Sequence, residues 1–144
     1  MTLISSETVH ASAVAIGERA VLIGGRSGQG KSDLALRLID RGAILVSDDY
    51  VFVRRVEGRL LASAPANIEG KIEVRGVGLM DVTNERDVSV GLFVDLDQAP
   101  ERLPADEDRR SIAGVELPVI ALSGLEASAP IKVEAALKMI GLSF

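Results

Sequence analysis

The stretch that leaves this chain the fewest folding options is Gly24-Gly25-Arg26-Ser27-Gly28-Gln29-Gly30-Lys31-Ser32-Asp33. Gly25, Gly30, Lys31 and Ser32 satisfy the spacing G-x-x-x-x-G-K-[ST], the P-loop pattern. Glycines there let the backbone turn tightly and aim its N–H groups at one point, which suits an anion. A helix starting at the end of the loop adds the positive end of its dipole. In such a loop the lysine reaches the outer phosphates of a nucleotide and the following hydroxyl holds Mg²⁺. The pattern needs a strand before it and a helix after it. Ala20-Val21-Leu22-Ile23 is an aliphatic run of strand length, and Leu34/Leu38 with Ala35/Ile39 are i,i+4 pairs. The residues expected to bind a nucleotide are therefore Gly25, Arg26, Ser27, Gly28, Gln29, Gly30, Lys31 and Ser32.

With 144 residues there is room for one domain with a real core, and only 3% of them are aromatic, so Val, Ile, Leu and Ala must fill it. Aliphatic strands of that kind favour an α/β sheet. The net charge is −5 with no basic run, which argues against nucleic acid as a partner. The absence of Cys excludes disulfides and thiolate metal sites and fits a reducing compartment. The first residues show no signal-peptide pattern, and no apolar run reaches membrane-spanning length. A soluble cytoplasmic domain covering residues 1–144, without membrane contact, is expected.

Along the chain, Val9 to Ile16 reads as a strand that turns at Gly17-Glu18-Arg19 into Ala20–Ile23, a hairpin leading into the glycine loop. The first helix is expected from Lys31 to Arg41, stopped by Gly42. Ala43 to Val46 is a short strand ending in Ser47-Asp48-Asp49. Tyr50 to Val56 and Leu60 to Ser63 form a second hairpin through Glu57-Gly58-Arg59. Gly70 to Val82 combines strand alternation with glycines, and Val88 to Leu96 is another strand. Asp97 to Arg110 is rich in charge and reads as a solvated loop or a lid. Val115 to Leu122 is a late strand whose Pro118 puts it at an edge. Pro130 opens a final helix with Val133, Ala136, Leu137 and Ile140 on one face. The result is a mixed α/β sheet with antiparallel hairpins and few helices.

Three groups of residues have the chemistry to work beside such a loop. Asp48 and Asp49 end the strand after the P-loop helix, at the sheet edge where ligands bind. A P-loop kinase needs an acid near Mg²⁺ and a base for the acceptor hydroxyl, although strand alternation aims only one of two neighbours at the site. His10, the only histidine, is either a proton or anion contact or a structural residue. Glu73 and Arg75 share one face, either holding Mg²⁺ and a phosphate or forming a solvated salt-bridged face. Gly76 and Gly78 beside them suggest that the backbone closely approaches something there.

Together these segments resemble the catalytic domain of the HPr kinase/phosphorylase family. The likeness is carried by Val9-His10-Ala11, the loop Gly25–Ser32, Arg41-Gly42, Val46-Ser47-Asp48-Asp49 and the run Ile72-Glu73-Val74-Arg75-Gly76-Val77-Gly78-Leu79-Met80-Asp81-Val82. The resemblance implies a P-loop core similar to that of phosphoenolpyruvate carboxykinase and a homo-oligomer, a hexamer in the family. It implies ATP- or pyrophosphate-dependent phosphorylation of a serine on HPr, the phosphocarrier of the bacterial phosphotransferase system. By position, Asp49 matches the catalytic base, Lys31 and His10 the phosphate contacts, and Ser32 and Glu73 the Mg²⁺ ligands, with Asp48 as the neighbouring acid. Arg102 matches the arginine of a mobile loop.

Three departures shape the expectation. The chain starts almost at the catalytic domain, so the family's N-terminal domain is not expected. Few residues separate Val82 from Val88, where longer members carry an insertion. The stretch linked to dephosphorylation is not recognisable near Leu117-Pro118-Val119. Kinase activity is therefore better supported than phosphorylase activity. The rival readings are a P-loop kinase of a small metabolite and a nucleotide-sensing module without turnover.

Overall fold

Valine, isoleucine, leucine and alanine make up the central strands, as the scarcity of aromatics requires. The computed structural model of the chain describes residues 5–102 and 108–144. In order these form β1 (Ser6–Val9), β2 (Ala11–Ile16), β3 (Arg19–Gly24), α1 (Lys31–Asp40), β4 (Ile44–Ser47), β5 (Val51–Val56) and β6 (Arg59–Ser63). There follow β7 (Lys71–Val74), β8 (Gly78–Asp81), β9 (Val88–Asp95), β10 (Arg109–Ile112), β11 (Val115–Ala121) and α2 (Ala129–Ile140). The main sheet has the hydrogen-bonded order β1-β5-β6-β9-β3-β2-β4, and β7 and β8 form a separate hairpin.

That order forces the sheet to curl. β1 and β2 are five strand spacings apart in it, about 24 Å if the sheet were flat. Yet only His10 separates Val9 from Ala11, a reach of about 7 Å. β4 and β5 repeat the problem, with residues 48–50 between them. The two ends of the sheet must therefore meet, and two short segments cross the seam side by side. The single strand expected from Val9 to Ile16 is broken at His10, because β1 pairs with β5 whereas β2 pairs with β3 and β4.

Alternation along the strands divides the core in two. Ala11, Ala13, Ala15, Ala20 and Ala62 with Leu22 and Phe93 fill the inside of the curl, where small side chains permit tight curvature. Val14, Val21 and Ile23 face outward against Leu34 and Leu38 of α1 and Val133 and Leu137 of α2. In β9, Val88 and Val90 face in, but Leu92 and Val94 face out. The register against β3 shifts there, from Ala20↔Val90 to Val21↔Leu92. Gly91 is the extra residue, a bulge that changes the phase of the strand.

One expectation changes in the second half. β10 occupies the end of the stretch read as a loop or lid; its Arg109, Arg110 and Ser111 are exposed, so it carries no buried alternation to betray it. The rest of that reading, over residues 103–107, lies outside the described residues. β11 pairs with β10 up to Pro118 and joins β9 only through Val119–Ala121, beyond the proline.

Gly24, where β3 delivers the glycine loop, is held by contact rather than by turn geometry. A Cβ there would stand 2.4 Å from Cζ of the buried Phe93. Gly24→Ala should therefore overpack the inner core and cost about 1–3 kcal/mol. A thermal melt reads this directly; an unchanged melting temperature would mean that the ring moves aside freely.

Candidate active site

The glycine loop connects β3 to α1, and its conformation follows from its composition. Gly28 and Gly30 have φ of 90° and 92°, in the left-handed region that side chains resist. Gly30 is the N-cap of α1 and offers no side-chain acceptor, so the first-turn amides are left for another partner. The acidic residue of that turn, Asp33, is paired with Arg37 instead (3.0 Å). Lys31 is buried and donates from Nζ to the carbonyl of Gly25 at 2.8 Å, folding back across the loop. Behind the loop, the backbone N–H and Nε of Arg26 donate to the carboxylate of Asp97 (3.0 and 3.2 Å). The backbone bond first, and the guanidinium after it, hold that carboxyl below the usual range. Asp97 is placed in turn by Asp95, which accepts from its N–H and pairs with Arg110.

The seam supplies the acids. Asp48 is buried, and its carboxylate accepts three hydrogen bonds. Its Oδ1 accepts from the hydroxyls of Ser32 (2.5 Å) and Ser12 (3.0 Å), and its Oδ2 accepts from the backbone N–H of Glu73 (3.0 Å). Asp48 thus ties the start of α1, strand β2 and the β7–β8 hairpin to one carboxylate. Asp49 is exposed. The Tyr50 N–H donates to the Asp48 carbonyl (2.8 Å), closing a three-residue turn with Asp49 at φ 67°. Because β4 ends at Ser47, the alternation expected of two neighbouring aspartates does not apply, and both line the same cleft. The Asp49 carboxylate lies 2.9 Å from Nε2 of His10, whose ring stacks on Tyr50 at 4.9 Å. Ser12 locks the arrangement by donating to Asp48 while accepting from the Asp49 N–H (3.0 Å).

These groups border a cleft of about 640 Å³, within the ~300–1,000 Å³ typical of small-molecule sites. Ser27, Gly28, Gly30, Lys31 and Ser32 line it together with Asp48, Asp49, Glu73 and Arg75.

Residues 1–139 match the model of the HPr serine kinase C-terminal domain. The chain belongs to that family. A protein of Clostridium tetani called HPr kinase/phosphorylase is 40% identical over 114 residues, covering 71% of this chain and 37% of its own length. One of the same name from Lactiplantibacillus plantarum is 37% identical over 133 residues, covering 83% of this chain and 42% of its own. The chain spans about two-fifths of the length of these curated relatives. Among solved structures, the Hpr(Ser) kinase/phosphatase from Coxiella burnetii matches with a TM-score of 0.78 and 30% identity, over 92% of this chain and 94% of that one. The mixed α/β fold with a curled sheet and two helices is the fold they share.

In this HPr serine kinase C-terminal domain, the sequence-derived residues are not all brought together. Lys31, Ser32, Asp48, Asp49 and Glu73 converge on the cleft, whereas Gly25, Arg26 and Gln29 lie off its lining. His10 stands at the seam crossing rather than within a strand, partnered by Asp49. Arg102 is exposed in the β9–β10 connection and does not line the cleft. Glu73 and Arg75 both line it, and no ion pair involves either among the described residues. At Gly76 and Gly78 a Cβ would meet no atom of the chain within 4 Å, and their φ of 83° and 135° suit the turn that leads into β8. Ser12 was missed, although a lone hydroxyl in the aliphatic run Ala11–Ile16 was its visible signal. Among the described residues no helix is long and apolar enough to cross a membrane.

Proposed function

We propose that this domain is an ATP- and Mg²⁺-dependent protein serine kinase whose substrate is HPr. One observation carries the reading: beside the glycine loop, the seam holds a buried carboxylate on the Ser32 hydroxyl and an exposed one on His10. The buried acid is suited to a metal site and the exposed one to a proton. On this reading the loop works as a P-loop, within the core related to phosphoenolpyruvate carboxykinase that the family resemblance implies. The names of the relatives support HPr as the substrate.

The donor set fits Mg²⁺. That ion takes oxygen ligands and binds through one or two carboxylates together with substrate phosphates. Ser32 and Asp48 supply a hydroxyl and a carboxylate already in contact, and Glu73 adds a second carboxylate at the cleft. When bound, the ion supplies positive charge against the phosphates and helps to align them.

The chain's own residues do the rest. The amides of Ser27, Gly28, Gly30, Lys31 and Ser32 and the Lys31 ammonium bind and orient the triphosphate, in a transfer that depends on positioning and electrostatics. Asp49, exposed at the mouth, is reachable by a serine presented on another protein, and takes its proton. His10 holds the Asp49 carboxylate in place. Arg102 belongs to the proposal only as a loop residue that approaches when substrate is bound. The homo-oligomer implied by the resemblance is part of the same proposal. Incubation with labelled ATP, Mg²⁺ and HPr should yield phosphoserine on HPr, and phosphorylated HPr with inorganic phosphate tests the reverse direction. Label transferred to a metabolite and never to HPr, or ATP bound without any phosphoprotein, would overturn the reading.

A further inference from the structure

One exposed residue lining the cleft, Leu125, has no part in binding the phosphates or in the proton transfer. β3, β9 and β11 run parallel, so their C-terminal ends open onto one rim, the edge at which α/β sheets bind ligands. The glycine loop follows β3, and residues 122–128 follow β11 and pack upon it. A Cβ at Gly124 would stand 2.8 Å from the Gln29 carbonyl oxygen, and one at Gly30 would stand 2.8 Å from Cδ2 of Leu125. Arg37 fastens the segment to α1 by donating to the carbonyls of Gly124 and Glu126. The segment is therefore pinned, yet Leu125 is 68% exposed and lines the cleft, where Leu36 and Val74 are the other apolar lining residues.

We propose that Leu125 is the platform for the base of the nucleoside triphosphate whose phosphates lie in the glycine loop. The proposal rests on the kinase reading above. It assigns the occupant by continuity, because Leu125 packs on Gly30 and lines the same cleft as Ser27, Gly28 and Asp48. Phosphates seated on the loop put the nucleoside against one of the loop's neighbours. Toward the seam it would meet Asp48, Asp49 and Glu73, carboxylates that the metal and the acceptor hydroxyl require. Toward Leu125 it meets an aliphatic surface able to cover a flat apolar face. Among the described residues none lining the cleft is aromatic, and the base contact proposed here is aliphatic.

Comparison of ATP with inorganic tripolyphosphate isolates the base, since the second has the phosphates alone. In titration calorimetry with Mg²⁺, Leu125→Ser should weaken ATP binding about tenfold and leave tripolyphosphate within about twofold of wild type. An equal loss for both would make Leu125 a support for Gly30 only and overturn the platform, as would no loss for either. A second variant avoids reliance on truncation. The chain has no Trp, so Leu125→Trp puts a single reporter at the platform. ATP should shift its emission and tripolyphosphate should not; the same response to both overturns the proposal. Wild-type protein that binds tripolyphosphate as tightly as ATP would refute the base site while sparing the kinase reading. Wild-type protein that binds neither would refute both.

Discussion

Lys31→Ala is expected to slow phosphoryl transfer to HPr by about a thousandfold, at the upper end of what the loss of one fixed charge-stabilising donor costs. The expectation follows from where the ammonium is. Lys31 opens α1 and is buried, and its Nζ rests on the Gly25 carbonyl across the loop that would surround the phosphates. In the absence of nucleotide the charge thus sits on a carbonyl dipole, and phosphate oxygens offer it a stronger partner in the same place. A preorganised cation stabilises the charge developing on the transferred group without reorganisation at the moment of reaction. Arg75 also lines the cleft, but its side chain is exposed on the separate β7–β8 hairpin and is not fixed to the loop. It cannot substitute. The measurement is single-turnover transfer from labelled ATP, accompanied by a thermal melt, because a buried side chain is being truncated. A rate within tenfold of wild type in a folded variant would remove Lys31 from the mechanism.

Local features of the site were legible in the sequence, and the features that assemble it were not. The glycine loop, its strand and its helix occupy neighbouring residues, so spacing and i,i+4 pairing were enough. The seam is different. It exists because β1 and β5 pair at one end of the sheet while β2 and β4 pair at the other, and pairing between distant segments leaves no periodic trace. An apolar run from Val9 to Ile16 therefore looked like one strand, although His10 breaks it. Alternation likewise misjudged the two aspartates, since it holds only inside a strand and the chain turns at Asp49. Gly91 shows the same limit in the core: one extra residue reverses the faces of β9, and nothing local announces it. Ser12 was hidden for a further reason. A hydroxyl in a buried strand has value only through its partners, and both of them, Asp48 and Asp49, are 36 and 37 residues away.

Asp49→Asn is expected to reduce transfer by about 10²–10⁴-fold, the usual contribution of a general base, while ATP affinity stays within about threefold. The backbone makes this a clean substitution. Asp49 has φ 67°, and asparagine is among the few side chains that tolerate that region, so the turn that aims residue 49 should survive. The amide oxygen can still accept from His10, whose Nε2 lies 2.9 Å from the carboxylate. What disappears is the ability to take a proton. Transfer at the wild-type rate would show that Asp49 is not the base, and a collapse of ATP binding would assign it to the nucleotide instead. His10 can then be resolved by a double-mutant cycle. If it acts only by holding Asp49, His10→Ala should cost activity in the wild-type background and almost nothing further once residue 49 is asparagine. If it contacts the phosphates, as the family resemblance implies, its removal should cost as much in both backgrounds. The contacts favour the first outcome: His10 stacks on Tyr50, is partnered by Asp49 and does not line the cleft that contains Lys31.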